Sequence, residues 1–158
     1  MQDLFDLFDQ LGIAHQTAEH PPFFTVEDGR EWQSRIPGLH CKTLFLKDKK
    51  DKLYLLVLPH DKRADLGAIE KTIGSARLSF AKPELLLSIL RVTPGSVTPF
   101  AVMYDQPPRI AVYLDQTIVA AAQVCYHPMR NDRTTTIASV DLIKFLRHTG
   151  HEPDVIAV

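Results

Sequence analysis

The chain has 158 residues, 45% of them hydrophobic and 23% charged, which suits one soluble domain with a single core. Its longest apolar runs fall well short of the roughly 20 residues a membrane span needs, and the acidic, amphipathic start MQDLFDLFDQLG is neither a signal nor a transit peptide, so a cytoplasmic protein is expected. The net charge of −1 hides an asymmetry: residues 1–39 carry −5, residues 40–82 carry +5 from ten basic and five acidic side chains, and residues 83–158 carry −1. A basic segment on a neutral chain fits either a solvated lysine-rich hairpin or a face for a phosphate-bearing partner.

Leu4, Phe5, Leu7, Phe8 and Leu11 are spaced for an amphipathic helix that Gly12 ends. Ile13 to Ala18 reads as a short strand, followed by a turn at His20-Pro21-Pro22. Thr25 suits the N-cap of a second helix running to about Arg35, with Pro37-Gly38 beyond it. Two apolar runs, Leu44–Leu46 and Leu53–Leu58, flank the charged turn KDKKDK and read as strands buried on both faces. Asp65 to Ile73 reads as a helix closed by Gly74, and Pro83 opens another, rich in leucine. After the loop TPGSVTPF (93–100), strands are expected at Ala101–Tyr104, Ile110–Leu114 and Val119–Tyr126. Ser139 then caps a last amphipathic helix, with a short strand at the end. Hairpins mixed with separate helices imply an α+β domain with a mixed, mostly antiparallel sheet.

Several groups could carry chemistry. His40-Cys41 and Cys125-Tyr126-His127 hold two His and two Cys, but adjacent residues on a strand point to opposite faces and the spacing matches no zinc knuckle, so no metal is expected. Cys125 and His127 share a strand face, but nothing nearby would lower the thiol pKa, so Cys125 reads as a buried structural residue. No GxGxxG or P-loop pattern occurs. Gly95 in TPGSVTPF can take backbone angles closed to other residues, and such a loop is either a plain connection or a presenter of backbone N–H groups. Lys42 falls on the strand face of Leu44 and Leu46, with Lys47 on the other face. There it either snorkels harmlessly or lines a pocket of low polarity.

The ordered segments HPPFFTVEDG, KTLFLKDKK, IGSARLSFA, TPGSVTPF and YHPMRNDRTTT resemble the YbaK/ProX family of aminoacyl-tRNA deacylases. The likeness is greatest to the freestanding bacterial prolyl-tRNA editing proteins (ProXp-ala or PrdX type) that clear alanine from proline tRNA. It spans almost the whole chain and implies a single domain with a partly barrel-like mixed sheet ringed by helices. It implies no cofactor, proline tRNA as partner, and prolyl-tRNA synthetase as a second candidate partner. By resemblance, Lys42, Gly95, Ser96 and His127 are the catalytic set; Thr25, Thr43, Val97, Thr98, Pro99 and Phe100 border the aminoacyl and 3′-end pocket; and Lys47, Lys49, Lys50 and Arg77 meet the acceptor stem. Thr43 departs from the Asn usual after the lysine, which leaves open another small aminoacyl group (Ser, Cys or 2-aminobutyrate). A non-catalytic tRNA-binding homologue is the other alternative.

Overall fold

The computed structural model describes residues 1–23 and 26–158; Thr25, expected as a helix cap and pocket residue, lies outside them. In chain order the elements are α1 (Gln2–Leu11), β1 (His15–Glu19), α2 (Val26–Gln33), β2 (Leu39–Asp48), β3 (Leu53–Pro59), α3 (Leu66–Ile73), β4 (Leu78–Phe80) and α4 (Pro83–Leu90). A 3-10 helix (Pro99–Tyr104) follows, then β5 (Ile110–Asp115), α5 (Gln116–Ala120), β6 (Gln123–Tyr126), β7 (Arg133–Ala138), α6 (Ser139–His148) and β8 (Asp154–Ile156).

The strong local signals form as expected. Gly12 and Gly74 close α1 and α3 in left-handed conformations at φ 70° and 72°. The Asp65 side chain caps α3 by accepting the Ala68 N–H, and Pro83 sits at the start of α4. β3 is buried along its whole length, as its unbroken apolar run requires.

The eight strands form one mixed sheet in the order β1-β7-β6-β2-β3-β5-β8, with β4 also on β2. Antiparallel pairings join β1 to β7, β2 to β3, β2 to β4 and β6 to β7; parallel ones join β2 to β6, β3 to β5 and β5 to β8. β1 and β8 end the strand order apart, so the sheet is not closed. One face packs on the main core, where Phe8, Phe100 and Phe145 meet edge to face at 5.1–5.6 Å. The other face covers a smaller cluster of Leu46, Tyr54, Leu56, Leu58, Ile69 and Leu78.

Four expectations are corrected. Ala101–Tyr104 is 3-10 helix, not strand: Pro99 fixes the first turn and the Thr98 hydroxyl accepts the Phe100 N–H. Val119–Tyr126 divides into the end of α5 and the strand β6, because Asp115, extended at the end of β5, is the cap of a helix that starts at Gln116. Ser139 is the first residue of α6, after Ala138 at the cap position, and its hydroxyl donates to the Ile118 carbonyl at 2.6 Å. β4 and β7 were not foreseen.

Candidate functional site

β2 organises the site. One of its edges is occupied by β3 from Cys41, opposite Pro59, to Lys47, opposite Leu53. The other edge is shared: β6 pairs with Leu39–His40, β4 pairs with Leu46–Asp48, and the Ala81 N–H reaches the Phe45 carbonyl. Between them, Lys42 to Leu44 have no strand partner on that edge among the described residues. A cavity of about 350 Å³ lies where the β2–β6 pairing ends. Its walls are His40 and Cys41 from β2, His60 just past β3, Cys125 and Tyr126 from β6 with His127 just past it, Gly95, Thr134, and Phe23, Gly29 and Gln33 from the α2 side.

Lys42 lies opposite Leu58, Leu44 opposite Leu56 and Leu46 opposite Tyr54, so these residues share the face of the smaller cluster. The face continues through His40 and His60, whose N–H donates to the His40 carbonyl at 2.9 Å. Lys42 is half-buried, and among the described residues its ammonium has neither a hydrogen bond nor an ion pair. Its charge is felt in the cavity: burial first, and then Lys42, hold the His60 imidazole below its ordinary pKa, with His40 and Arg30 acting the same way and Asp61 opposing. Thr43 faces the main core with Phe45, and its buried hydroxyl has no hydrogen-bond partner among the described residues.

His127 Nδ1 is 2.8 Å from the Arg133 carbonyl. A carbonyl only accepts, so Nδ1 carries the hydrogen and Nε2 is the open nitrogen. Burial lowers this pKa, the Arg133 hydrogen bond opposes the shift, and the charges of His20, His60 and His40 add to it. His20 stacks on Phe23 at 4.0 Å, bonds the Thr134 hydroxyl at 2.8 Å and the Pro21 carbonyl at 2.9 Å. The Phe23 ring centre is 5.8 Å from that of His127.

Both thiols are protonated at neutral pH. Burial pushes Cys41 up to about 12, only partly offset by the adjoining Tyr126 hydroxyl and the Cys125 backbone. Burial also raises Cys125, against a contact with the Thr136 hydroxyl. The Tyr126 hydroxyl lies beside Cys41 without hydrogen-bond alignment and has no other partner among the described residues. A cysteine nucleophile is thus unsupported. Among the described residues no three His, Cys, Asp or Glu are grouped to hold a metal ion.

The 93–100 loop divides. Gly95, at φ 92°, lines the cavity, and its N–H has no acceptor among the described residues. The Ser96 N–H is already donated to the Thr93 carbonyl at 3.0 Å, closing the turn that presents Gly95. Val97 packs against the main core. Thr98, Pro99 and Phe100 are buried, and Phe100 is separated from the cavity by Tyr126, whose ring centre is 5.5 Å away. None of these four lines the cavity.

The basic side chains gather at the other end of β2, six residues or roughly 20 Å from Cys41 to Lys47 at about 3.3 Å per residue. Asp48 is the hub of this hairpin: its carboxylate accepts the N–H groups of Lys50, Lys52 and Ala76 and the Tyr54 hydroxyl. Burial opposes its ionisation, but these bonds win and hold the carboxyl below its ordinary range. The Lys49 N–H donates to the Arg77 carbonyl at 3.1 Å. Lys47, Lys49 and Arg77 line a surface hollow of about 430 Å³. Lys50 is exposed beside it, and Lys47 is 3.4 Å from Asp51.

Sequence reasoning brought Lys42, Gly95 and His127 into view but missed His60, His20, Phe23 and Tyr126. Only the β2–β3 register brings His60 beside Lys42, and no spacing along the chain signals it.

Residues 20–145 match the family model described as the aminoacyl-tRNA editing domain. The chain is 35% identical over 158 residues to prolyl-tRNA synthetase associated domain-containing protein 1 of Danio rerio, covering 99% of this chain and 86% of that one. It is 33% identical over 144 residues to the prolyl-tRNA editing protein ProX of Acetoanaerobium sticklandii, covering 90% and 88%. The fold superposes on a crystal structure of a candidate trans-editing enzyme for prolyl-tRNA synthetase with a TM-score of 0.74 at 18% identity, over 99% of this chain and 96% of that one. With residues 20–145, four-fifths of its length, matched to that family model, the chain belongs to the aminoacyl-tRNA editing domain family.

Proposed function

We propose that the protein hydrolyses the ester of mischarged tRNA, with alanyl-tRNA(Pro) as its substrate, in the cytoplasm. The observation that carries this reading is the Lys42 ammonium, without a partner among the described residues, beside a cavity lined by His60 and His127, whose pKa values burial lowers. A proline-activating site cannot exclude the smaller alanine by size, and a second sieve that hydrolyses the wrong product solves the problem.

Water attacks the ester directly, since both cavity thiols stay protonated. Lys42 holds the 3′-terminal phosphate or ester region and offsets negative charge developing in the transition state. The Gly95 N–H is donated to the carbonyl oxygen; Ser96, with its own N–H spent on Thr93, fixes the turn rather than adding a second donor. His127 orients the terminal adenosine through its open Nε2 or by stacking beside Phe23. Thr43 and Thr25 are assigned to the 3′ end. Val97, Thr98, Pro99 and Phe100 act from behind, as the anchor of the Gly95 loop. Lys47, Lys49, Lys50 and Arg77 bind acceptor-stem phosphates, and prolyl-tRNA synthetase is the partner that would supply the mischarged tRNA.

The test is a deacylation panel on proline and alanine tRNAs carrying alanine, serine, cysteine, 2-aminobutyrate or proline, run with wild type and Lys42→Ala. Alanine release from proline tRNA, lost in Lys42→Ala while the fold is retained, is expected. Full activity in that variant removes Lys42 from the mechanism, and faster release of another small group reassigns the substrate.

A further inference from the structure

We propose that His60 is the general base of this site, taking the proton from the attacking water and returning it to the departing ribose oxygen. The inference rests on the deacylase reading above. An uncharged ester needs water activated as it attacks, and an imidazole in hydrogen-bond reach is the usual agent.

Three imidazoles line the cavity and a fourth, His20, stacks on its wall residue Phe23; their hydrogen bonds differ. His20 has both ring nitrogens committed, to Thr134 and Pro21. One nitrogen of His40 is held by the Ile36 carbonyl at 2.8 Å, and one of His127 by the Arg133 carbonyl. His60 lines the same cavity, and among the described residues neither of its ring nitrogens has a hydrogen-bond partner. It stands one residue past the end of β3, anchored by its backbone to His40. There it is a neighbour of Lys42, the cation assigned to the ester.

The electrostatic setting suits the role. The groups facing His60 are Lys42 and His40 from β2, Arg30 from α2, and its own neighbour Asp61; His127 faces it across the cavity. Burial and then Lys42 favour the neutral ring, Asp61 alone opposing among the charged neighbours, so the base is ready at neutral pH. In the step itself the water oxygen bonds to the carbonyl carbon as one O–H proton passes to His60. The tetrahedral intermediate collapses with cleavage of the carbon–ribose oxygen bond, and the imidazolium returns that proton to the ribose oxygen. The products are the free amino acid and the tRNA 3′ end, with His60 neutral again.

The test measures kcat and KM against pH for alanyl-tRNA(Pro) with wild type, His60→Gln and His60→Ala, checking each fold by circular dichroism. In His60→Gln, kcat should fall by about 100-fold or more with little change in KM, and the acidic limb of the profile should flatten. Added imidazole should restore part of the rate in His60→Ala. NMR titration of the His60 ring should show its midpoint rising in Lys42→Met, since loss of the cation favours protonation. A wild-type kcat in His60→Gln, or a change in KM alone, overturns the proposal while the deacylase reading stands. A wild-type protein without turnover on any mischarged tRNA overturns both.

Discussion

If the hairpin binds acceptor-stem phosphates, removing Lys49 and Arg77 together should flatten the salt dependence of tRNA binding. The structure sets the size of the effect. Each lysine or arginine that displaces a phosphate counterion on a duplex contributes about −0.9 to the slope of log K against log salt. Lys49 and Arg77 line one hollow and have no ion pair among the described residues, so each should count fully. Lys47 must first give up Asp51 at 3.4 Å, an exposed pair of at most about 1 kcal/mol, so Lys47→Ala alone should move the slope by less than a full contact. Lys49→Ala with Arg77→Ala should therefore flatten the slope by about 1.8, a relative change of about 12-fold in affinity between roughly 50 and 200 mM salt. Fluorescence anisotropy with labelled proline tRNA, titrated at several salt concentrations, measures it directly. Arg147→Ala, already paired with Glu152 at 2.9 Å outside the basic segment, is the control and should leave the slope unchanged. An unchanged slope in the double variant would refute the reasoning and make the hairpin a solvated surface.

Phe100, fully buried among Phe8, Tyr126 and Phe145, should cost about 3–5 kcal/mol when cut to Ala. Phe100→Leu should keep most of that stability and the full turnover, because the ring does not line the cavity. A loss well under 1 kcal/mol by urea unfolding in Phe100→Ala, or lost turnover in a stable Phe100→Leu, would return Phe100 to the pocket. Stability should also depend on pH. The folded-state pKa values of His60 and His127 lie below the ordinary 6.5, so the unfolded chain takes up these protons first as pH falls. Their contribution is complete above 6.5 and is lost as pH drops through the folded-state values. The thermal midpoint should fall between about pH 7.5 and about pH 5.5, and less steeply in His127→Gln; equal slopes would show that His127 is not held neutral.

What was legible in the sequence had local causes. Glycine at a left-handed C-terminus, Asp65 as a cap and the unbroken apolar run of β3 each act within a few residues of themselves. β7 was hidden because its burial is polar. Thr134 and Thr135 are buried with their hydroxyls bonded to His20 and Thr17 across the sheet, a satisfaction no hydrophobic period reveals. The run Ala101–Tyr104 was misread because four apolar residues fit a strand or a tight helix equally, and Pro99 with Thr98 decides between them. Lys42 was placed on its face by alternation alone, and the register bears this out. Its relation to His60, 18 positions on, depends on the β2–β3 pairing that sets Lys42 opposite Leu58, which only the folded sheet supplies.

The measurement that bears most directly on the central claim is multiple-turnover release of alanine from alanyl-tRNA(Pro) by the purified protein at neutral pH, beside Lys42→Ala. Catalytic release by wild type, faster than from prolyl-tRNA(Pro) and abolished in the variant, is the predicted result. Retained tRNA binding with no release of any small aminoacyl group would contradict the account and leave a binding protein on an editing fold.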